Sequence, residues 1–128
     1  LDSKKLIVLD YKAQSSSYPV EQESYLESVY HQGYKMQLDF YVYVLRNMGF
    51  DVSDNSYFLV CNGEQTPNQF DNKLIFTTKL IEYKTNTDWI ADEIKSMKEL
   101  LDSEKVPDRN LYCENCAYIE QGGKLIDE

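Results

Sequence analysis

The sequence predicts an α/β domain of the α+β kind. Strand-like runs stand at residues 5–12, 57–61 and 74–84, and helical periodicities occupy residues 34–48 and 88–102. Glycine, asparagine and proline punctuate the joins between them. With 128 residues, 42% of them hydrophobic and 13% aromatic, the chain is long enough for one real core and is expected to be a single domain over residues 1–128.

Residues 1–5 are expected to form a turn, on Asp2, Ser3 and Lys4, that feeds the first strand. Four consecutive apolar residues, Leu6, Ile7, Val8 and Leu9, predict a strand covered on both faces. Alternation puts Leu6, Val8, Asp10 and Lys12 on one face, and Ile7, Leu9 and Tyr11 on the other. An acid and an ammonium at the end of a buried strand are costly to desolvate unless a partner, a metal or a substrate compensates them. Residues 14–22 are a polar, serine-rich connection in which Pro19 disfavours regular structure.

Helical character begins near Glu23. Gly33 divides a short first segment from the main helix, residues 34–48, which Gly49 closes. At about 100° per residue, Tyr34, Gln37, Leu38, Phe40, Tyr41, Val44, Leu45 and Met48 form one apolar stripe, with Lys35, Asp39 and Arg46 opposite. Gln37 lies inside that stripe, where an amide must be hydrogen-bonded, and Tyr41 sits one turn later on the same face.

After a turn at residues 51–56, the strand at 57–61 is closed by Asn62-Gly63, and residues 65–72 are loop. In the strand at 74–84, Thr77 and Lys79 alternate with apolar neighbours, so one face is wet or the strand lies near an edge. Thr87-Asp88 opens a second helix whose core stripe is Ile90, Ile94, Met97 and Leu101. Pro107 ends that region, and Cys113 and Cys116 lead into a Gly-Gly tail, about residues 119–128, expected to fray.

The net charge of −9 supplies no basic face of the kind nucleic-acid binders normally carry. No apolar run approaches the roughly 20 residues that cross a bilayer, so no membrane association is expected and the chain reads as soluble. Its three cysteines, an odd number, suit a reducing, cytoplasmic setting. With no initiator methionine and a strand almost at once, the chain reads as a piece of something longer.

Acid-x-Lys starts at Asp2, Asp10, Asp71, Glu82 and Glu93, so the bare pattern says little. Asp2 and Asp71 fall in predicted turns and Glu93 in a helix, and the Glu82 strand carries Lys79 in its middle. Asp10 with Lys12 stands on the more apolar strand and is preferred. Gln-x-x-x-Tyr occurs at Gln14/Tyr18, assigned to the serine-rich loop, and at Gln37/Tyr41, on a helix where such residues meet.

Ile7-Val8-Leu9-Asp10-Tyr11-Lys12, followed by Gln37-Leu38-Asp39-Phe40-Tyr41 on the next long helix, resembles the RecB-like branch of the PD-(D/E)XK nuclease superfamily. The later strands, a helix opening at Asp88-Trp89, and the terminal Cys113, Cys116 and Tyr118 are similar in order to that branch. The resemblance implies a restriction-endonuclease-like core, a central mixed β-sheet flanked by helices, here N-terminally truncated. It implies a metal-dependent DNA nuclease, an exonuclease domain of DNA repair, recombination or phage and defence DNA processing. The implied partners are DNA and a helicase or recombination protein, fused or separate.

By the same resemblance Asp10 and the backbone carbonyl of Tyr11 hold Mg²⁺ or Mn²⁺, and Lys12 orients the attacking water and balances phosphate charge. Gln37 and Tyr41 stabilise the site or touch the DNA. The family's other metal-binding acid lies on the preceding strand, here upstream of Leu1, so this stretch alone is expected to be weak or inactive. Members with an iron-sulfur cluster carry further cysteines, and none is expected here.

Plainer readings stand beside these. Asp10 and Lys12 suit an ordinary strand-end ion pair, Gln37 a satisfied core amide, His31 a surface position near a helix start, and Cys61 buried filler. Tyr25, Tyr30 and Tyr34 read more readily as packing than as base-stacking residues. The alternative functions are a non-catalytic nuclease-like scaffold for protein interaction and a small metal or redox module at Cys113 and Cys116.

Overall fold

A computed structural model describes residues 4–65 and 72–126, so the expectations for the first turn and for most of the 65–72 loop lie outside the described residues. The elements run β1 (Leu9–Ser15), α1 (Gln22–Glu27), a 3₁₀ turn (Val29–His31), α2 (Gln32–Asn47), β2 (Asn55–Gly63), β3 (Phe76–Lys84), α3 (Ile90–Asp102) and α4 (Glu114–Ile126). The chain divides into two compact units, Leu1–Ile90 and Ala91–Glu128.

In the first unit the strands form one sheet in the order β1-β2-β3. β1 pairs with β2 in parallel, Asp10 opposite Phe58 and Lys12 opposite Val60, and β2 pairs with β3 antiparallel. The parallel pair requires a long crossover, which α1 and α2 supply. The result is the expected mixed sheet with helices packed against it. Residues on β2 alternate strictly, with Ser56, Phe58, Val60 and Asn62 turned inward and buried. Phe58, Val60 and Ile81 from the sheet, Tyr25 from α1 and Leu38 from α2 form the core on one face. The opposite face of the sheet exposes Leu9, Tyr11 and Leu80.

Several expectations are corrected. Residues 6–9 are not covered on both sides: Leu6, Ile7 and Leu9 are exposed and Val8 is half-buried. The reason is placement at a sheet edge, with a ladder neighbour on one side and helices over one face. Regular pairing begins at Leu9 and runs on to Ser15, which brings Gln14 into the strand, while Leu6 makes a lone parallel bridge to Val52.

Helix α2 is rotated from the apolar stripe read off its sequence. Leu38, Asp39 and Val42 are buried, while Phe40, Tyr41, Val44 and Met48 are exposed. Periodicity assigns an acid to solvent by default, yet Asp39 is only 4% exposed because surrounding donors satisfy it. Arg46 also turns inward, donating to the Val52 carbonyl at 3.0 Å and to Asp54 at 2.5 Å. Gly49 closes the helix as expected, at φ +92°, a conformation open to glycine at little cost.

In the second unit, the expected frayed tail is helical through Gly122 and Gly123 to Ile126. Of the α3 stripe only Ile90, the last residue of the first unit, is buried, and Ile94, Met97 and Leu101 are exposed. Cys61, expected as buried filler, is half-buried, because it lies on the sheet face away from the core.

Candidate active site

β1 alternates sharply between exposed and half-buried residues: Asp10, Lys12 and Gln14 turn towards the helices, and Leu9, Tyr11 and Ala13 turn away. Asp10 and Lys12 thus share the helix-covered face, with Lys12 Nζ 2.7 Å from Asp10 Oδ2 and both side chains less than a fifth exposed. The competing acid-x-Lys on β3 is different: Glu82 and Lys84 are both exposed.

Lys12 Nζ also donates to Gln37 Oε1 at 2.8 Å. An ammonium has only donors, so it fixes which end of the amide faces it, and Gln37 Nε2 is left to donate to the Tyr41 hydroxyl. That hydroxyl accepts from Gln37 and keeps its own proton to offer outward, from a side chain that is 41% exposed. The four expected side chains are therefore joined in one line, Asp10 to Lys12 to Gln37 to Tyr41. Beside it Val8, Phe40, Tyr41, Val44 and Leu45 line an open apolar hollow of about 420 Å³.

A second wall of the site is aromatic. Lys12 Nζ lies 4.1 Å from the centroid of the Tyr34 ring, a cation–π contact. Tyr34 stacks on His31 at 5.2 Å, and His31 packs on Tyr25 at 4.1 Å. His31 Nδ1 lies 2.8 Å from the Tyr25 carbonyl, which can only accept, so Nδ1 carries a proton. The sole histidine, expected at the surface, is in fact half-buried between two tyrosines at the elbow that leads into α2. Tyr30, by contrast, is exposed.

Two buried polar atoms at this site lack an aligned hydrogen-bond partner, Asp10 Oδ2 and the Tyr25 hydroxyl. The 2.7 Å approach of Lys12 to Asp10 Oδ2 is thus an ion pair without hydrogen-bond alignment. Burial, with the nearby Tyr34 and Asp10, pushes the Tyr25 phenol up to about 12, so it is a neutral donor at ordinary pH.

The Tyr11 ring turns away from the face that carries Asp10 and Lys12. The Val8 carbonyl accepts from Tyr57 N at 2.9 Å, and backbone groups alternate along a strand, so the Tyr11 carbonyl points to the open edge of β1. Its side chain lies beside Cys61 on the far face. The Asp10 carboxylate and this carbonyl are hard oxygen donors, and an unaligned buried carboxylate oxygen is the kind of atom a divalent cation satisfies. In donor chemistry the residues fit Mg²⁺ or Mn²⁺. Among the described residues no group of three or more His, Cys, Asp or Glu side chains converges.

Sequence reasoning missed Asp39. Its Oδ1 accepts from Asn86 N at 2.9 Å, and its Oδ2 from the Tyr83 hydroxyl at 3.2 Å and Trp89 Nε1 at 3.3 Å. Burial and then Asp39 push the Tyr83 phenol up to about 12. This clamp ties α2, between Gln37 and Tyr41, to the end of β3 and the segment after it. No spacing marks Asp39, because its donors are dozens of residues away.

A mixed sheet with an acid and a lysine on its inner face, under a helix that presents an amide, is a restriction-endonuclease-like nuclease core. The family model of the PD-(D/E)XK nuclease superfamily matches residues 1–121, and the chain belongs to that superfamily. No curated protein and no solved structure matches the chain. Among the described residues no helix is long and apolar enough to cross a membrane.

Proposed function

We propose that this chain is the catalytic part of a RecB-like, Mg²⁺- or Mn²⁺-dependent deoxyribonuclease. In this reading it is an exonuclease domain that works in the cytoplasm, in DNA repair, recombination or phage and defence DNA processing, with a helicase or recombination partner, fused or separate. The observation that carries the reading is the line in which Lys12 is ion-paired to Asp10 and hydrogen-bonded to Gln37.

Asp10 and the Tyr11 carbonyl would hold the cation through their oxygen atoms. When bound, the cation supplies Lewis-acid polarisation of the scissile phosphate and a more acidic attacking water. Lys12, paired with Asp10 and aimed by Gln37 and the Tyr34 ring, balances the negative charge that grows on the phosphate during attack. Tyr41 offers its remaining proton to a phosphate oxygen of the strand.

The test is divalent-cation-dependent cleavage of DNA by the protein with its upstream segment present, compared with Lys12→Ala. Loss of cleavage with the fold retained supports the reading. Unchanged cleavage by Lys12→Ala would overturn it, and absence of cation binding in the native protein would favour the scaffold alternative.

A further inference from the structure

The Tyr25 side chain raises a question that packing does not answer. Its ring is buried at 4% exposure against His31 and, at 5.8 Å, Phe58, and a phenylalanine would make the same contacts. The hydroxyl is the unexplained part, since a buried polar group without a partner is rare and asks for a reason. Asp10 Oδ2, ion-paired to Lys12 but without an aligned hydrogen bond, is the other such atom, and Asp10 stands opposite Phe58, on which the Tyr25 ring packs. The aromatic stack from Tyr25 through His31 to Tyr34 also ends at the ammonium that pairs with Asp10.

We infer that Tyr25 is a positioning residue of the cation site: its hydroxyl donates, through one ordered water, to Asp10 Oδ2 and holds the carboxylate in its ligating orientation. This rests on the reading of Asp10 as a cation ligand. Ligating carboxylates are generally held by such outer donors, and losing one typically weakens metal affinity about ten- to a hundredfold. The phenol suits the task because it stays protonated at neutral pH and, unlike a lysine, adds no charge that would repel a cation. Lys12 is then free to turn to the phosphate without leaving Asp10 unsupported.

The experiment is Mn²⁺ titration calorimetry on the native protein, Tyr25→Phe, Asp10→Asn and the double variant, with thermal melting of each. Tyr25→Phe is expected to melt no lower than native yet bind Mn²⁺ at least about tenfold more weakly. In the Asp10→Asn background the same change should have no further effect. Equal affinity of native and Tyr25→Phe, or an equal loss without Asp10, overturns the inference and leaves the nuclease reading intact. No Mn²⁺ uptake by the native protein overturns both. If Tyr25→Phe does not fold, the Tyr25 ¹³Cζ resonance of the native protein decides: it moves on Mg²⁺ addition if the inference holds and stays fixed if it does not.

Discussion

Lys12 Nζ and Gln37 Oε1 stand 2.8 Å apart, joining an edge strand to a helix 25 residues further on. The bond gives the helix amide a structural duty. Gln37→Leu leaves a half-buried ammonium short of an acceptor, and should cost about 1–3 kcal/mol in urea unfolding. Under the proposed reading it should also lower divalent-cation-dependent DNA cleavage. Gln37→Glu, which keeps an acceptor, should recover the stability but not the activity, because it adds negative charge where phosphate must approach.

Asp39 should prove the larger determinant of stability. Asp39→Ala strands three donors at once, the Tyr83 hydroxyl, Asn86 N and Trp89 Nε1, and should destabilise by about 3 kcal/mol or more. Trp89 is the chain's single tryptophan, so its fluorescence reports the loss directly. A native-like emission spectrum and unfolding midpoint in Asp39→Ala would contradict the clamp.

Acid stability should carry the mark of Asp54. The hydrogen bond and charge of Arg46 hold its carboxyl below the usual carboxylate range. A depressed native pKa stabilises the fold above the unfolded value, about 4, and that contribution fades as pH falls through the native pKa. The difference in urea midpoint between native protein and Asp54→Asn should therefore be present at neutral pH and shrink in strong acid.

Alkaline stability should turn on Tyr25 and Tyr83. Both phenols are pushed up to about 12, mainly by burial. A raised native pKa stabilises the fold below the unfolded value, about 10, and the contribution is lost as pH rises from there through about 12. Tyr25→Phe and Tyr83→Phe should each flatten the decline of the urea midpoint over that window.

The placement of Asp10 and Lys12 on one face, and of Gln37 and Tyr41 one helical turn apart, was legible because each depends on a local period, two for strands and 3.6 for helices. The mixed sheet was legible only through the family resemblance, and the stop at Gly49 through the left-handed conformation that glycine adopts at a helix end. The rotation of α2 and the burial of Asp39 were not, since they are decided by Tyr83, Asn86 and Trp89, which arrive from a distant segment. The half-buried His31 escaped notice because its partners, Tyr25 and Tyr34, are gathered by an elbow that has no simple periodicity. The uncovered residues 6–9 escaped because a run of apolar residues reads alike at the centre and at the margin of a sheet.

The main-chain oxygen of Tyr11, turned outward along β1, has a practical corollary. No codon change deletes a peptide carbonyl, so under the proposed reading a scan of side-chain replacements would pass over Tyr11 and credit any cation capture wholly to Asp10. Semisynthesis that places an ester after residue 11, weakening that oxygen as a donor while sparing the tyrosine ring, is the substitution that exposes its share.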